Sequence, residues 1–453
     1  MFKRILVAAR GEIALRIIRC CREMDIETVA VYSKADRRSL HAAVATASVC
    51  IGPSQASESY LRGEVLIEVA LKTGCEAIHP GYGFLSENPE FAKMCEKSGL
   101  VFIGPPSDVI SRMGDKLAAR NLMKSCGVPV VNGSNTVVRD IKSAKKTVNE
   151  IGYPVLIKAS AGGGGKGMRV ANDVTQLTES FETAMAEAKA AFGNGDMYIE
   201  KYIEDPHHIE IQILADRYGN IVSLGERDCS IQKNNQKIFE ETPSPLPDED
   251  LRKRMNDAAI KAAAVSGYVG AGTVEFIVDG SKNFYFIEMN TRIQVEHPVT
   301  EETSGVDLIR EQIRIACGMK LGSDVHEVMH KKHAMECRIN ALSSGTVKFL
   351  HFPAGYGVRI ESHIYNGCEI VPYYDPLLVK VIVTGNTRLE AIRRMRRALE
   401  ELVIEGIETN REFMHLMLYT PDFVRGRYST GFYEKEHLKI DEMIRSAAET
   451  LKN

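Results

Sequence analysis

Polar and apolar side chains alternate along the segment EMNTRIQVEHP, residues 288–298. Successive residues of a strand point to opposite faces, so the segment predicts one polar wall and one side that faces a core. The predicted wall consists of Glu288, Asn290, Arg292, Gln294 and Glu296, and the predicted core side of Met289, Thr291, Ile293 and Val295. An exposed sheet face would show the same alternation, but it rarely follows an apolar strand such as 284–287 so directly. The segment therefore indicates a chemical site.

A further acid, Glu275, lies in the segment GTVEFIV on a neighbouring predicted strand. Together with Glu288 and the side-chain carbonyl of Asn290 it would supply an all-oxygen ligand set. Such a set suits a hard cation such as Mg²⁺, which substrate phosphates commonly help to hold. We therefore expect a metal site close to a bound polyphosphate.

A glycine-rich loop in PVLIKASAGGGGKGMRV supports the same chemistry. Lys158 lies in a predicted strand, and four consecutive glycines, 162–165, are followed by Lys166. Glycine lets backbone N–H groups approach an anion closely, so the loop is typical of a lid over polyphosphate. The G-K-[ST] signature of a Walker A loop is absent, and a plain flexible linker is the alternative interpretation.

Two short strands are predicted on either side of a turn at 205–206. If the chain passes between domains there, the backbone of 200–203 is free to bind the edge of an adenine ring. His208 lies beside this turn and is either a structural residue or a nucleotide ligand.

Composition narrows the class of protein. A length of 453 residues predicts about three domains, and a net charge of −3 argues against a mainly electrostatic nucleic-acid binder. Ten cysteines without a C-x-x-C pair fit a reducing compartment and buried thiols, with a catalytic cysteine as the alternative. We read no signal peptide or membrane span in the sequence, and we expect a cytoplasmic protein.

The order of predicted elements indicates a multidomain α/β and α+β fold. Strand 5–9, a turn at Gly11, helix 12–23 and strand 28–32 form a βαβ opening. A lone glycine at that turn does not support a dinucleotide cofactor. A final α+β unit carries Arg338 two residues after Glu336, followed by a helix at 389–402.

Nine sequence motifs, taken in order along the chain, resemble those of a known enzyme family. ARGEIALRI, HPGYGFLSEN, MGDK, IKASAGGGGKGMRV, GERDCSIQ, GTVEFI, EMNTRIQVEHPVTE, ECRINA and PYYD resemble the biotin carboxylase family of ATP-grasp enzymes over nearly the whole chain. The resemblance implies ATP-dependent carboxylation, by bicarbonate, of biotin on a carrier protein. It also implies a Rossmann-like domain at 1–112, an ATP-grasp domain at 113–325 with a lid at about 131–203, and a C-terminal domain at 333–440.

The motifs carry the family's site residues onto this sequence. The implied ATP-binding residues are Lys116, Lys158, Gly164, Gly165, Glu200, Lys201, Tyr202, Ile203, His208, Asn235, Glu275 and Glu288. The implied metal ligands for Mg²⁺ or Mn²⁺ are Glu275, Glu288 and Asn290. The implied bicarbonate and biotin residues are Lys237, Arg292, Gln294, Val295, Glu296 and Arg338, with Glu296 as general base and Arg338 stabilising the biotin enolate. A low pKa of Glu296, favoured by Arg292 and Lys237, would suit it to accept the proton of bicarbonate.

The resemblance also implies partners. These are a biotin carboxyl carrier protein, carboxyltransferase subunits and a second copy of the chain, with no nucleic acid and no membrane. Positions that match the family's two-fold interface are Arg16, Arg19, Glu23, Tyr356, Arg359 and Asp375. No M-K-M sequence, the family's biotinylation signal, occurs here, so we expect biotin on a separate carrier.

The sequence departs from the family pattern at three places. The segment after Ala341 is shortened, Asn234 and Asn235 replace an expected basic residue, and Ala9 replaces the usual Asn. These changes affect the expected rate, nucleotide affinity and carrier docking more than the reaction type. Acetyl-CoA is the default final acceptor, with pyruvate or another acyl-CoA as alternatives. A different ATP-grasp ligase and a non-catalytic nucleotide-binding protein are the other hypotheses.

Overall fold

An N-terminal parallel sheet opens the fold in this computed structural model, which describes residues 1–160, 167–322, 325 and 332–450. Its five strands follow the order β3-β2-β1-β4-β5. They are β1 Arg4–Val7, β2 Glu27–Ser33, β3 Ala47–Gly52, β4 Ala77–His79 and β5 Val101–Phe102. The helices are α1 Gly11–Glu23, α2 Leu40–Val44, α3 Gly63–Lys72, α4 Pro89–Lys97 and α5 Ser107–Gly114, with 3₁₀ turns at Lys34–Asp36 and Ala56–Glu58. The predicted βαβ opening and Rossmann-like arrangement are confirmed.

Close packing at the ends of β1 and β4 explains one glycine of the HPGYG motif. Gly81 has φ +62°, and a Cβ at this position would lie 2.9 Å from the Cβ of Ala9. A side chain here would be strained in both backbone conformation and space. The loop after β4 is therefore held directly against the loop after β1, where both reach the cleft described below.

A small antiparallel sheet follows, with helices on it. Its strand order is β7-β6-β8. The elements of this segment are α6 Lys116–Ser125, α7 Ile141–Ile151, β6 Val155–Ala159, β7 Met168–Ala171, α8 Val174–Phe192 and β8 Met197–Lys201. α7 and α8 begin at Asp140 and Asp173, whose carboxylates accept backbone N–H groups of the first turn. Gly164, Gly165 and the rest of the glycine run lie outside the described residues.

The largest sheet has eight antiparallel strands in the order β15-β14-β9-β10-β13-β16-β21-β19. The central part of the chain supplies β9 His207–Ala215, β10 Ile221–Asp228, β11 Gln232–Lys233, β12 Gln236–Lys237, β13 Phe239–Thr242, α9 Glu249–Ser266, β14 Gly270–Val278, β15 Phe284–Asn290, α10 His297–Ser304 and α11 Leu308–Ala316. Of these, β11 and β12 form a separate hairpin. β8 and β9 lie in different sheets, so the turn at 205–206 does separate two structural layers.

The C-terminal part completes the same sheet. It contains β16 His333–Asn340, β17 Gly345–Thr346, β18 Phe349–His351, β19 Val358–Ser362, β20 Glu369–Ile370, β21 Leu377–Gly385, α12 Arg388–Glu401, β22 Val403–Glu405, α13 Arg411–Met417, α14 Pro421–Val424 and α15 Phe432–Thr450. β13 pairs with β16 over four residue positions, from Phe239 with Cys337 to Thr242 with Ala334. A core that includes Phe239, Val381 and Leu399 lies between this part of the sheet and the C-terminal helices.

The mixed α/β and α+β fold class is confirmed by these layers. Within the described residues, no helix has both the length and the apolar character needed to cross a membrane.

Candidate active site

A cleft of about 1030 Å³ lies where the sheets meet. It is lined by residues from the N-terminal sheet, the small sheet, the eight-stranded sheet and the loop after β15. Of the predicted site residues that the structure describes, those lining it are Lys116, Lys158, Glu200, Lys201, Tyr202, Ile203, His208, Asn235, Lys237, Glu275, Glu288, Asn290, Arg292, Gln294, Val295 and Arg338. Glu296 is fully buried and is not among the lining residues, but it contacts two that are, Lys237 and Arg338.

The predicted metal ligands lie together on β14 and β15. Glu275 and Glu288 are direct partners in the register of these strands. The amide Nδ2 of Asn290 donates to Glu275 Oε1 over 2.8 Å, and His208 Nε2 lies 2.9 Å from Glu275 Oε2. The predicted pairing of two carboxylates on neighbouring strands therefore occurs in the structure.

The electrostatics of these acids suit a cation. Burial favours the neutral form of Glu275, but Lys237 and His208 outweigh burial and hold the pKa of Glu275 well below its usual range. The ammonium group of Lys116 lies 2.5 Å from Glu288 Oε2. Both acids already have positively charged partners. Their carboxylate oxygens form a donor set that fits Mg²⁺ or Mn²⁺.

The ammonium group of Lys237 contacts three acids. Its Nζ donates to Glu210 over 2.6 Å and to Glu275 and Glu296 over 2.8 Å each. Burial disfavours the ammonium form, but Cys229 and the surrounding carboxylates outweigh it and raise the pKa of Lys237 well above its ordinary value. Lys237 is therefore a permanent positive charge that links the metal ligands to Glu296.

Glu296 is held as a carboxylate by several cations. Lys237 contacts its Oε1, and Nη2 of Arg338 donates to its Oε2 over 2.9 Å. Burial alone would raise its pKa, but Lys237, Arg338 and Arg227 keep the pKa of Glu296 well below its usual range. A deprotonated acid beside two charged donors can accept a proton from a bound anion.

The prediction of a continuous alternating strand to Glu296 is wrong. β15 ends at Asn290, because the next residue, Thr291, turns its backbone N–H and its hydroxyl to Glu87. Val295 consequently lines the cleft instead of a core, and Glu296 is buried at the start of α10. Ile293 does point into a core, as predicted.

Arg292 is also placed differently from expectation. Its Nε donates to Glu87 over 2.9 Å, and its Nη1 donates to Gln294 Oε1 over 3.0 Å. Glu87 is its ion-pair partner in the structure. Arg338 and Arg227, more than Arg292, join Lys237 in lowering the pKa of Glu296.

The predicted nucleotide residues form the other wall. Lys158 pairs with Glu200 across β6 and β8, and Tyr202 and Ile203 follow β8 on the way to β9. Asn235 lies in the β11–β12 turn with φ +61°. Asparagine tolerates this left-handed conformation well, which suits the replacement of a basic residue at this turn.

Three functional residues were missed by the sequence analysis. Glu210 is fully buried and contacts both Lys237 and Arg227, the latter over 2.6 Å. Glu210 shares the period-two face of His208 in the otherwise apolar strand HHIEIQILA, a signal that could have identified it. Glu87, inside the quoted HPGYGFLSEN motif, holds Arg292. Arg227 also donates to Gln212 and Thr300.

Comparison with known proteins gives the family. Models described as "Biotin carboxylase, N-terminal domain", "Carbamoyl-phosphate synthase L chain, ATP binding domain" and "Biotin carboxylase C-terminal domain" match residues 1–110, 115–324 and 336–435. Biotin carboxylase 1 of Bacillus subtilis is 54% identical over 96% of this chain and 98% of its own. The chain belongs to the biotin carboxylase family. It is an ATP-dependent ligase that carboxylates biotin, which argues against the alternatives of a different ATP-grasp ligase and a non-catalytic nucleotide-binding protein.

Other similar proteins serve different complexes. One pyruvate carboxylase component from Methanothermobacter thermautotrophicus is 48% identical, over 98% of this chain and 92% of its own. The crystal structure of the biotin carboxylase domain dimer of Hydrogenobacter thermophilus 2-oxoglutarate carboxylase, with MgADP, ADP and bicarbonate, is 46% identical. It has a TM-score of 0.94 and covers 97% of this chain and 99% of that one. The chain thus has relatives in at least two kinds of carboxylase.

Proposed function

We propose that this chain uses MgATP and bicarbonate to carboxylate the biotin of a separate carrier protein, as the first half-reaction of an acetyl-CoA carboxylase in fatty acid synthesis. The observation that carries the chemistry is the position of Glu296, with Lys237 on one carboxylate oxygen and Arg338 on the other. This arrangement combines a deprotonated acid with two donors that can hold an anion.

Glu296 acts as the general base. Bicarbonate lies against Lys237, Arg292, Gln294, Val295 and Arg338. The O–H bond of bicarbonate breaks, its proton bonds to a carboxylate oxygen of Glu296, and the resulting dianion attacks the γ-phosphorus of ATP with ADP as the leaving group. A low pKa keeps Glu296 unprotonated before this step.

The phosphate side is served by lysines and acids. Lys116 and Lys158 bind phosphate oxygens, and the glycine run that contains Gly164 and Gly165 is the proposed phosphate lid. Glu275, Glu288 and Asn290 would hold Mg²⁺ or Mn²⁺, whose contribution is to neutralise charge on the phosphates. The binding residues of the nucleotide base and ribose are Glu200, Lys201, Tyr202, Ile203, His208 and Asn235.

Carboxyphosphate then breaks down to CO₂ and phosphate within the site. Phosphate takes the N–H proton of biotin, and the guanidinium of Arg338 stabilises the enolate that forms. The enolate nitrogen bonds to the carbon of CO₂. A closed site matters here because water would consume carboxyphosphate.

We assign the domains as 1–112, 113–325 with a lid at about 131–203, and 333–440. The chain assembles as a cytoplasmic homodimer and works with a biotin carboxyl carrier protein and carboxyltransferase subunits. Support for the dimer comes from the dimeric Hydrogenobacter relative and from Tyr356, an interface match whose side chain is 86% exposed.

Two assays test this function. The purified chain should hydrolyse ATP in a bicarbonate-dependent manner, and free biotin should be converted to carboxybiotin with ¹⁴C-bicarbonate. Absence of both activities would refute the catalytic proposal. For the acceptor, the carboxyltransferase that co-purifies with the chain should transfer label to acetyl-CoA, and transfer to pyruvate instead would favour the alternative that the Methanothermobacter relative suggests.

A further inference from the structure

The guanidinium of Arg338 is held by two buried acids. Its Nη2 atom lies 2.9 Å from Glu296 Oε2 and 2.5 Å from Glu240 Oε1. Arg338 lines the cleft, whereas Glu240 is fully buried and does not reach it. Glu240 is thus a second buried acid on the same guanidinium nitrogen that contacts Glu296.

The pairing of β13 with β16 brings Glu240 next to Arg338. In β13 the neighbouring acids Glu240 and Glu241 point to opposite faces of the sheet. Glu241 forms a two-oxygen ion pair with Arg388 at 2.7 and 2.9 Å. Glu240 lies directly opposite Glu336 of β16, and Arg338 is two residues further along β16 on the same face. Two buried acids of paired strands, Glu240 and Glu336, thus lie on the same sheet face as Arg338.

The two acids of this cross-strand pair differ in pKa. Burial, opposed by Arg338, raises the pKa of Glu240 to about 7. Burial raises the pKa of Glu336 well above its usual range. Glu240, which contacts Arg338, is therefore the acid of the pair that loses its proton at the lower pH.

We propose that Glu240 is a positioning residue that anchors Arg338 while Glu296 is protonated, a role that rests on the proposed function. When Glu296 accepts the proton of bicarbonate it becomes neutral, and the ion pair between Glu296 and Arg338 loses its charge attraction. The contact of Glu240 with Nη2 of Arg338 does not depend on Glu296, so it keeps the guanidinium at the cleft, where Arg338 is available to the biotin enolate.

The test compares acids on the two faces of β13 at pH 8, with free biotin, bicarbonate and MgATP. We expect Glu240→Gln to lower kcat for biotin carboxylation about 10- to 100-fold, as misplacement of a catalytic group does, with KM for MgATP changed less than about twofold. Glu240→Asp should recover part of kcat. The matched control is Glu241→Gln, which breaks a buried ion pair on the opposite face and should lower thermal stability while leaving kcat near wild type.

A double-mutant cycle separates positioning from general damage. In an Arg338→Lys background, Glu240→Gln should lower the residual kcat much less than it does in the wild type, because the fixed guanidinium is already absent. An equal factor in both backgrounds, or an equal loss of kcat in Glu240→Gln and Glu241→Gln, would overturn the inference. If Glu240→Gln does not fold, Glu240→Asp takes its place in the same cycle, with the same outcomes decisive. Wild-type activity in these assays is tested separately, so a failed function and a failed inference give different results.

Discussion

Lys116 Nζ lies 2.5 Å from Glu288 Oε2, which pairs a proposed phosphate ligand with a proposed metal ligand. The side chains are 20% and 28% exposed, so the pair borders the cleft. Each group neutralises the charge of the other. Binding of MgATP offers the lysine a phosphate and the carboxylate a cation, so both charges gain new partners together.

Glu288→Gln should therefore weaken MgATP binding about tenfold or more, because the amide carries no charge to attract the cation. Loss of one charged ligand also slows phosphoryl transfer, which depends on charge neutralisation. Isothermal titration calorimetry with MgATP measures the binding, and bicarbonate-dependent ATP turnover measures the rate. Wild-type affinity in this variant would remove Glu288 from the metal site.

Glu296→Gln should leave MgATP binding nearly intact and lower biotin-dependent turnover by about 10² to 10⁴, the range typical of a lost general base. The amide fills the same space between Lys237 and Arg338 but cannot accept a proton. The same calorimetry and turnover assays apply. Near-normal turnover, or a loss of nucleotide affinity as large as that of Glu288→Gln, would contradict the assignment of the base.

Glu87→Gln should raise the KM for bicarbonate about tenfold while the KM for MgATP stays within about twofold. Glu87 holds Arg292 by a 2.9 Å ion pair and also receives the backbone N–H of Thr291. Without the negative charge of Glu87, the side chain of Arg292 is held less firmly beside Gln294. Steady-state kinetics with each substrate varied measures the effect, and the exposed Glu90→Gln on α4 is the control. Equal changes in both KM values would argue against a specific role for Glu87.

Folding stability should fall between pH 7 and pH 5 because several buried histidines are neutral, among them His41 and His79. Burial lowers the pKa of His41 to about 4 and that of His79 to about 3. Unfolded histidine titrates near pH 6.5, so each group contributes stability above that pH, and the contribution is lost as the pH falls towards the folded value. At pH 5 the cost is about 2 kcal/mol per histidine.

Urea unfolding at about pH 7.5 and pH 5 measures this loss. His79→Gln should lower stability at the higher pH but show a smaller loss on acidification than the wild type. His351→Gln, at an exposed site, is the control and should keep the wild-type pH dependence. An unchanged pH dependence in His79→Gln would show that this histidine does not contribute.

Light scattering at micromolar concentration should give twice the chain mass of 50.2 kDa. Arg19 is half exposed and pairs with Glu361 over 3.3 Å, so Arg19→Glu places like charges together at the proposed interface. We expect this variant and Tyr356→Ala to shift the mass towards a monomer. Tyr218→Ala, which removes another exposed tyrosine outside the matched positions, should remain dimeric. A monomeric wild type would refute the assembly.

The local alternation of residues predicted which acids share a strand face. The other contacts of the site depend on pairing between distant parts of the chain, which the local pattern does not predict. Glu288 and Asn290 could be found because β15 alternates, and Glu275 because its strand lies nearby in sequence. The pairing of Glu240 with Arg338 depends on the register of two strands that are far apart along the chain, which no local period reveals. Thr291 likewise leaves the strand pattern because its partner, Glu87, belongs to the N-terminal part of the chain.

The pairing of β13 with β16 has an evolutionary consequence. One sheet runs through the central and C-terminal parts of the chain. Each part on its own would therefore leave a strand of this sheet without its neighbour. Exchange of the C-terminal part between related carboxylases would separate Arg338 from Glu240 and Glu296, so we expect the two parts to change together in evolution.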